Sequence, residues 1–90
     1  MNTLSDRLLS EAVDTAREYG ATRLILFGSA LDASRNARDL DLACAGIQGW
    51  RLFSFGAALE DRLDMPVDVV PLDEPNALTR MIEAEGRRLL

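Results

Sequence analysis

Apolar residues recur at helical spacing through Leu4, Leu8, Ala12, Val13 and Ala16, which predicts an amphipathic helix over Thr3 to Glu18. Thr3 or Ser5 can cap its start, and Gly20 can stop it. The pattern then changes. Thr22 to Phe27 (TRLILF) is a short β-rich run and reads as a buried strand. Gly28 ends that strand, Ser29 can cap a short helix through about Ser34, and Arg35 to Arg38 is a polar loop. Leu40 to Ala45 reads as a second strand, followed by a turn at Gly46 to Gly49. Helical spacing returns over Trp50 to Leu63, with Leu52, Phe55, Leu59 and Leu63 along one side. Asp64-Met65-Pro66 breaks this helix, and Val67 to Val70 is a third strand. After a turn at Pro71 to Glu74, Pro75 suits the first position of a last helix, which continues through Leu78, Met81, Ile82 and Glu85 to Gly86. Arg87 to Leu90 is a tail or a short edge strand.

The predicted order is α-β-α-β-α-β-α, an α/β pattern. A doubly wound parallel sheet is one solution. The link between the first two strands is only about a dozen residues, close to the lower limit for a parallel crossover, so a mixed sheet is equally open.

With 90 residues, the chain reads as one domain spanning 1–90. A chain this short buries only about 60–65% of its unfolded surface, which leaves room for one core and one shallow site. A large co-substrate is then expected to be held partly by another chain. The net charge of −5 disfavours direct binding to nucleic-acid backbone, although a bound cation can reverse the sign locally for a nucleotide. Cys44 is the single cysteine, so no disulfide can form within the chain, as suits a reducing cytoplasm. The segment MNTLSDRLLSEAVD does not read as a secretory leader, and no apolar run approaches the roughly 20 residues of a membrane span. A soluble cytoplasmic protein is expected. The chain contains 0 histidines, which removes a Ser-His-Asp triad and a His-based zinc site and leaves carboxylates for acid–base or metal chemistry.

Those carboxylates are informative. Alternation along the second strand puts Leu40, Leu42 and Cys44 on one face and Asp39 and Asp41 on the other. Two residues of strand rise separate the two aspartates by roughly 6.6 Å at Cα. Two charges at that distance repel by about 2.5 kcal/mol at an effective dielectric near 20. Aspartate is also disfavoured in strands, so a compensating cation is needed, either an arginine or Mg²⁺ with its preference for carboxylate oxygens. Asp68, between Val67 and Val69, repeats the pattern. If the third strand lies beside the second, the three aspartates form a metal platform. Upstream, Gly28-Ser29 stands where a strand becomes a helix. Glycine admits close backbone approach, a helix start attracts phosphate, and the Ser29 hydroxyl adds a donor.

Gly28-Ser29, then Asp39-Leu40-Asp41, then Asp68 in an apolar strand resembles the nucleotidyltransferase fold of the DNA polymerase β superfamily. More closely, the chain is similar to the minimal nucleotidyltransferases (MNT proteins) paired with HEPN-domain proteins, and the likeness runs from about Leu24 to Gly86. The segment Met81-Ile82-Glu83-Ala84-Glu85-Gly86 resembles that family's closing helix, rich in Ile-Glu-x-Glu-Gly. The resemblance implies a mixed sheet flanked by helices. It also implies that Gly28 and Ser29 contact a triphosphate while Asp39, Asp41 and Asp68 bind two Mg²⁺ ions and serve catalysis. The implied activity is transfer of AMP from ATP to a hydroxyl, in antitoxin members a tyrosine of the HEPN toxin, which makes a helical HEPN partner and a hetero-oligomer the expected assembly. Two departures stand out. Nine residues separate Ser29 from Asp39 where members usually have ten, and Ala30, Leu31 and Asp32 stand where an arginine and a second glycine are common. They favour an alternative, a catalytically weakened protein of the same fold that acts as a binding-only antitoxin or assembly subunit. Trp50, Phe53 and Phe55 are expected in the core or against a partner, and Cys44 in the core.

Overall fold

The computed structural model describes residues 6–28 and 39–90. The expected helix start at Thr3, the short helix after Ser29 and the loop at 35–38 lie outside the described residues. Within them the order is α1 (Asp6–Glu18), β1 (Arg23–Phe27), β2 (Leu40–Ala45), α2 (Trp50–Leu63), β3 (Val67–Pro71), α3 (Ala77–Glu85) and β4 (Arg87–Arg88).

The four strands form one mixed sheet in the order β3-β2-β1-β4. β1 and β2 are antiparallel. β2 and β3 are parallel, and α2 provides the crossover that parallel neighbours need. β4 pairs antiparallel with β1, setting Ile25 opposite Arg88 and Leu26 opposite Arg87. The doubly wound alternative is therefore excluded, and residues 87–88 form an edge strand rather than a tail.

Alternation divides the sheet into two faces with separate tasks. Leu24, Leu26, Leu40, Leu42 and Cys44 are buried in one cluster with Leu9, Ala12 and Ala16 of α1 and Phe55, Leu59 and Leu63 of α2. On the other face Ile25 and Ala43 pack with Ile82 of α3 and with Leu72. The buried line on α1 runs through Leu9 rather than Leu8 and includes Thr15. Adjacent leucines leave the helical phase open to a shift of one position. The Thr15 hydroxyl escapes a burial penalty by donating to the Glu11 carbonyl at 2.8 Å and accepting from Arg62 at 3.0 Å.

The helix ends set the strand positions. α2 stops at Asp64, which takes a left-handed conformation (φ 54°) and returns its N–H to the Glu60 carbonyl. The Glu60 carboxylate accepts from the Val67 N–H at 2.9 Å, tying the start of β3 to the helix. Pro75 lies before α3 rather than at its first position, because Asn76 is the cap. Its side chain accepts from the Thr79 N–H at 2.9 Å, and the Thr79 hydroxyl accepts from the Asn76 N–H at 2.8 Å. At the other end, Gly86 donates to the Ile82 carbonyl at 2.7 Å. A Cβ there would run into Ile25 and into the Ile82 carbonyl, so glycine is what lets the chain leave α3 directly into β4. Arg23 of β1 forms an ion pair with Glu83 of α3, which clips the helix to the sheet. Among the described residues, no helix is long and apolar enough to cross a membrane.

Candidate functional site

The parallel register of β2 and β3 makes Asp41 and Asp68 direct neighbours. On the other side of β2, the antiparallel register sets Phe27 opposite Asp41. Phe27, Asp41 and Asp68 thus form one row across the sheet. It lies on the face that α3 covers further along, at the Ile25–Ala43–Val70 row. Asp39 immediately precedes β2, one strand repeat before Asp41. Asp39 and Asp68 are exposed, and Asp41 is half-buried.

Gly28 closes the row. Its φ is +76°, a region that L side chains rarely occupy. A Cβ on Gly28 would collide with the Asp41 carboxylate, with Asp41 Cγ at 3.1 Å and Cβ at 3.3 Å. The carboxylate therefore lies against the Gly28 backbone, which links the turn after β1 to the acidic row. Ser29 lies outside the described residues.

The Asp41 carboxyl is held above its ordinary value of 3.8. The leading cause is its removal from water. Next come the negative charges of Asp68 and then Asp39, and last a hydrogen bond with Asp68 that only a protonated carboxyl can donate. Among the described residues, no arginine forms an ion pair with these three aspartates. Arg23 and Arg62 are engaged by Glu83 and Glu18 instead. The arrangement sets carboxylate oxygens, donors of the kind that hard cations prefer, beside the Gly28 backbone. Asp41 and Asp68 are brought together, and Asp39 is near enough for its charge to act on Asp41. The described residues contain no group of three or more Asp, Glu, His or Cys placed so that it could hold a metal ion.

Cys44 is fully buried on the opposite face. Burial, and secondarily the charge of Asp73, pushes its thiol up to about 11, which leaves it inert as a nucleophile. Phe55 is core, whereas Trp50 and Phe53 are exposed. Sequence alone did not reveal a groove of about 330 Å³ between α2 and β3, with Phe53, Gly56, Ala57 and Asp68 in its walls. Its only sequence trace is the supply of apolar residues on more than one side of α2.

No family model and no curated protein matches the chain. Solved structures do. A structure described as a candidate minimal nucleotidyltransferase superposes with a TM-score of 0.75 at 26% identity, covering 96% of this chain and 94% of that one. The chain has the minimal nucleotidyltransferase fold. Two further neighbours of this fold are complexes. One is a toxin–antitoxin structure with AMP-PNP, with a TM-score of 0.78, 19% identity, and coverage of 91% of this chain and 72% of that chain. The other contains a tri-AMPylated Shewanella oneidensis HEPN toxin with an MNT antitoxin, with a TM-score of 0.77, 18% identity, and coverage of 97% and 72%. The minimal nucleotidyltransferase fold accounts for the short mixed sheet, in which the ends of β1, β2 and β3 meet in one row that carries Asp41 and Asp68.

Proposed function

We propose that this chain is a Mg²⁺-dependent nucleotidyltransferase that moves AMP from ATP to a hydroxyl, a tyrosine of a helical HEPN-domain partner, as the antitoxin of a toxin–antitoxin pair. The carrying observation is the pairing of Asp41 with Asp68 across the β2–β3 ladder, with the Asp41 carboxylate against Gly28. The AMP-PNP and AMPylated-HEPN complexes among the structural neighbours support the same chemistry.

Asp39, Asp41 and Asp68 would hold the metal, two ions by the family pattern, and bound metal supplies neutralisation of phosphate charge and alignment for in-line displacement. The backbone at Gly28 lets triphosphate approach beside Asp41, with the Ser29 hydroxyl as a further donor. Asp68, the exposed member of the facing pair, orients the attacking hydroxyl and accepts its proton. The hydroxyl oxygen bonds to the α-phosphorus of ATP as the bond to pyrophosphate breaks. The setting we propose is the cytoplasm.

The test is incubation of the chain with its helical partner, Mg²⁺ and ATP labelled at the α-phosphate. Wild type should label the partner and Asp41→Asn should not. Equal labelling by both proteins removes the aspartates from catalysis. A second reading, a binding-only antitoxin or assembly subunit, is favoured by the nine-residue spacing between Ser29 and Asp39. It is the right one if the double variant Asp39→Asn/Asp41→Asn still neutralises the partner.

A further inference from the structure

The outward face of α2 carries an unusual gradient. Trp50, Phe53 and Ala57 fall on one side of the helix at spacings of three and four, Glu60 and Asp61 continue the same side, and Asp64 follows as the C-cap. Trp50 is 74% exposed and Phe53 is 82% exposed, values that no folding contact explains.

The charges sort by side. Both arginines of α2 are drawn toward α1. Arg51 donates to the Tyr19 carbonyl at 3.2 Å and lies 5.4 Å from the centre of the Tyr19 ring. Arg62 is taken by Glu18 and Thr15. The groove side of α2 therefore keeps only acidic groups, and the groove reaches Asp68.

The free edge of β3 borders the groove, but it is poorly suited to adding a strand. The Leu40 N–H donates to the Pro66 carbonyl and the Leu72 N–H to the Cys44 carbonyl, so even-numbered backbone groups face β2 and odd-numbered ones face out. Of the outward donors, Val67 is taken by Glu60 and Pro71 has no N–H, leaving Val69. A second copy is disfavoured as well, since two copies would oppose acidic stripes on chains of net charge −5.

We propose that the α2 stripe and the α2–β3 groove dock a basic amphipathic helix of the acceptor protein. Its apolar residues cover Trp50, Phe53 and Ala57, and its lysines or arginines face Glu60, Asp61 and Asp64. This deepens the proposed function by naming the surface and the chemistry of the partner, on a groove whose lining includes Asp68 of the edge strand.

Trp50 is the single tryptophan and reports directly on the contact. The experiment titrates the full chain with a helical peptide of about four turns. Leucines stand at positions i, i+3, i+4 and i+7, with lysines on both flanks, and a control peptide has glutamate in place of lysine. The lysine peptide should shift Trp50 emission to the blue and the glutamate peptide should not. Phe53→Asp, at an exposed position, should weaken binding by about tenfold or more. Binding should also weaken from 50 to 300 mM salt. Asp41→Asn should bind the peptide as wild type does, and Phe53→Asp should bind Mg²⁺–ATP as wild type does, which keeps this inference separate from the catalytic one. Equal response to both peptides, no response to either, or a dimer by sedimentation that Phe53→Asp dissolves would each overturn the proposal, whatever the labelling assay gives.

Discussion

Replacing Asp41 by asparagine should stabilise the metal-free protein at neutral pH. Adjacent strands stand about 4.8 Å apart. Two unit charges at about 5 Å repel by about 3 kcal/mol at an effective dielectric of 20 and by less than about 1 kcal/mol in bulk water. Asp68 is exposed and Asp41 half-buried, so solvent screening places the repulsion between these limits, at about 1–2 kcal/mol. Each 1 kcal/mol moves Tm by about 4–8 °C in a domain of this size. The variant should therefore melt about 4–16 °C higher at pH 7 in EDTA.

The pH dependence fixes the cause. The folded-state pKa of Asp41 is raised, so the protonated form is favoured by folding. The stability this contributes is fully present below the unfolded-state value and is lost as pH rises through the raised folded value. Asn mimics the protonated carboxyl, so its advantage should be full at pH 7 and vanish below about pH 4. Mg²⁺ should reverse the order. At one hundred times its dissociation constant a bound ion adds about 2.7 kcal/mol to wild type, more than the variant's advantage, and the variant should gain little. Scanning calorimetry at pH 4 and pH 7, with and without Mg²⁺, reads all four cases. A variant that is less stable than wild type at pH 7 in EDTA, or that keeps its advantage at pH 4, refutes the reasoning.

Gly28→Ala combines a strained positive φ with a collision against Asp41, and should cost about 1–3 kcal/mol by urea denaturation, with weakened Mg²⁺ binding in the same protein. Asn76→Ala removes the cap of α3 and should cost about 1 kcal/mol in the same assay. The Cys44 thiol should resist iodoacetamide at pH 8 in the native state and react at once in denaturant; native labelling would contradict its burial and its elevated pKa.

The helices and strands were legible because their periodicities are clean. TRLILF and LDLACA could be assigned to strands, and the face of Asp41 followed from alternation alone. The pairing of Asp41 with Asp68 depended on β3 lying beside β2, which residues at that separation cannot announce. It took the register to make them partners. Whether β1 ran with or against β2 was undecided by residue patterns, because a twelve-residue link serves either arrangement. The phase of α1 slipped by one at Leu8-Leu9, where hydrophobicity does not discriminate, and buried Thr15 was invisible until its hydrogen bonds were seen. The role of Glu60 as anchor of the Val67 N–H, and the sorting of Arg51 and Arg62 to the α1 side, are tertiary facts with no local signature.

The most direct measurement is a crystal structure with Mn²⁺ and a non-hydrolysable ATP analogue, read by anomalous scattering. A peak at coordination distance from carboxylate oxygens of both Asp41 and Asp68, with analogue phosphate beside Gly28, is the predicted result. Nucleotide bound with no peak between these carboxylates, or an arginine side chain filling that space, would contradict it.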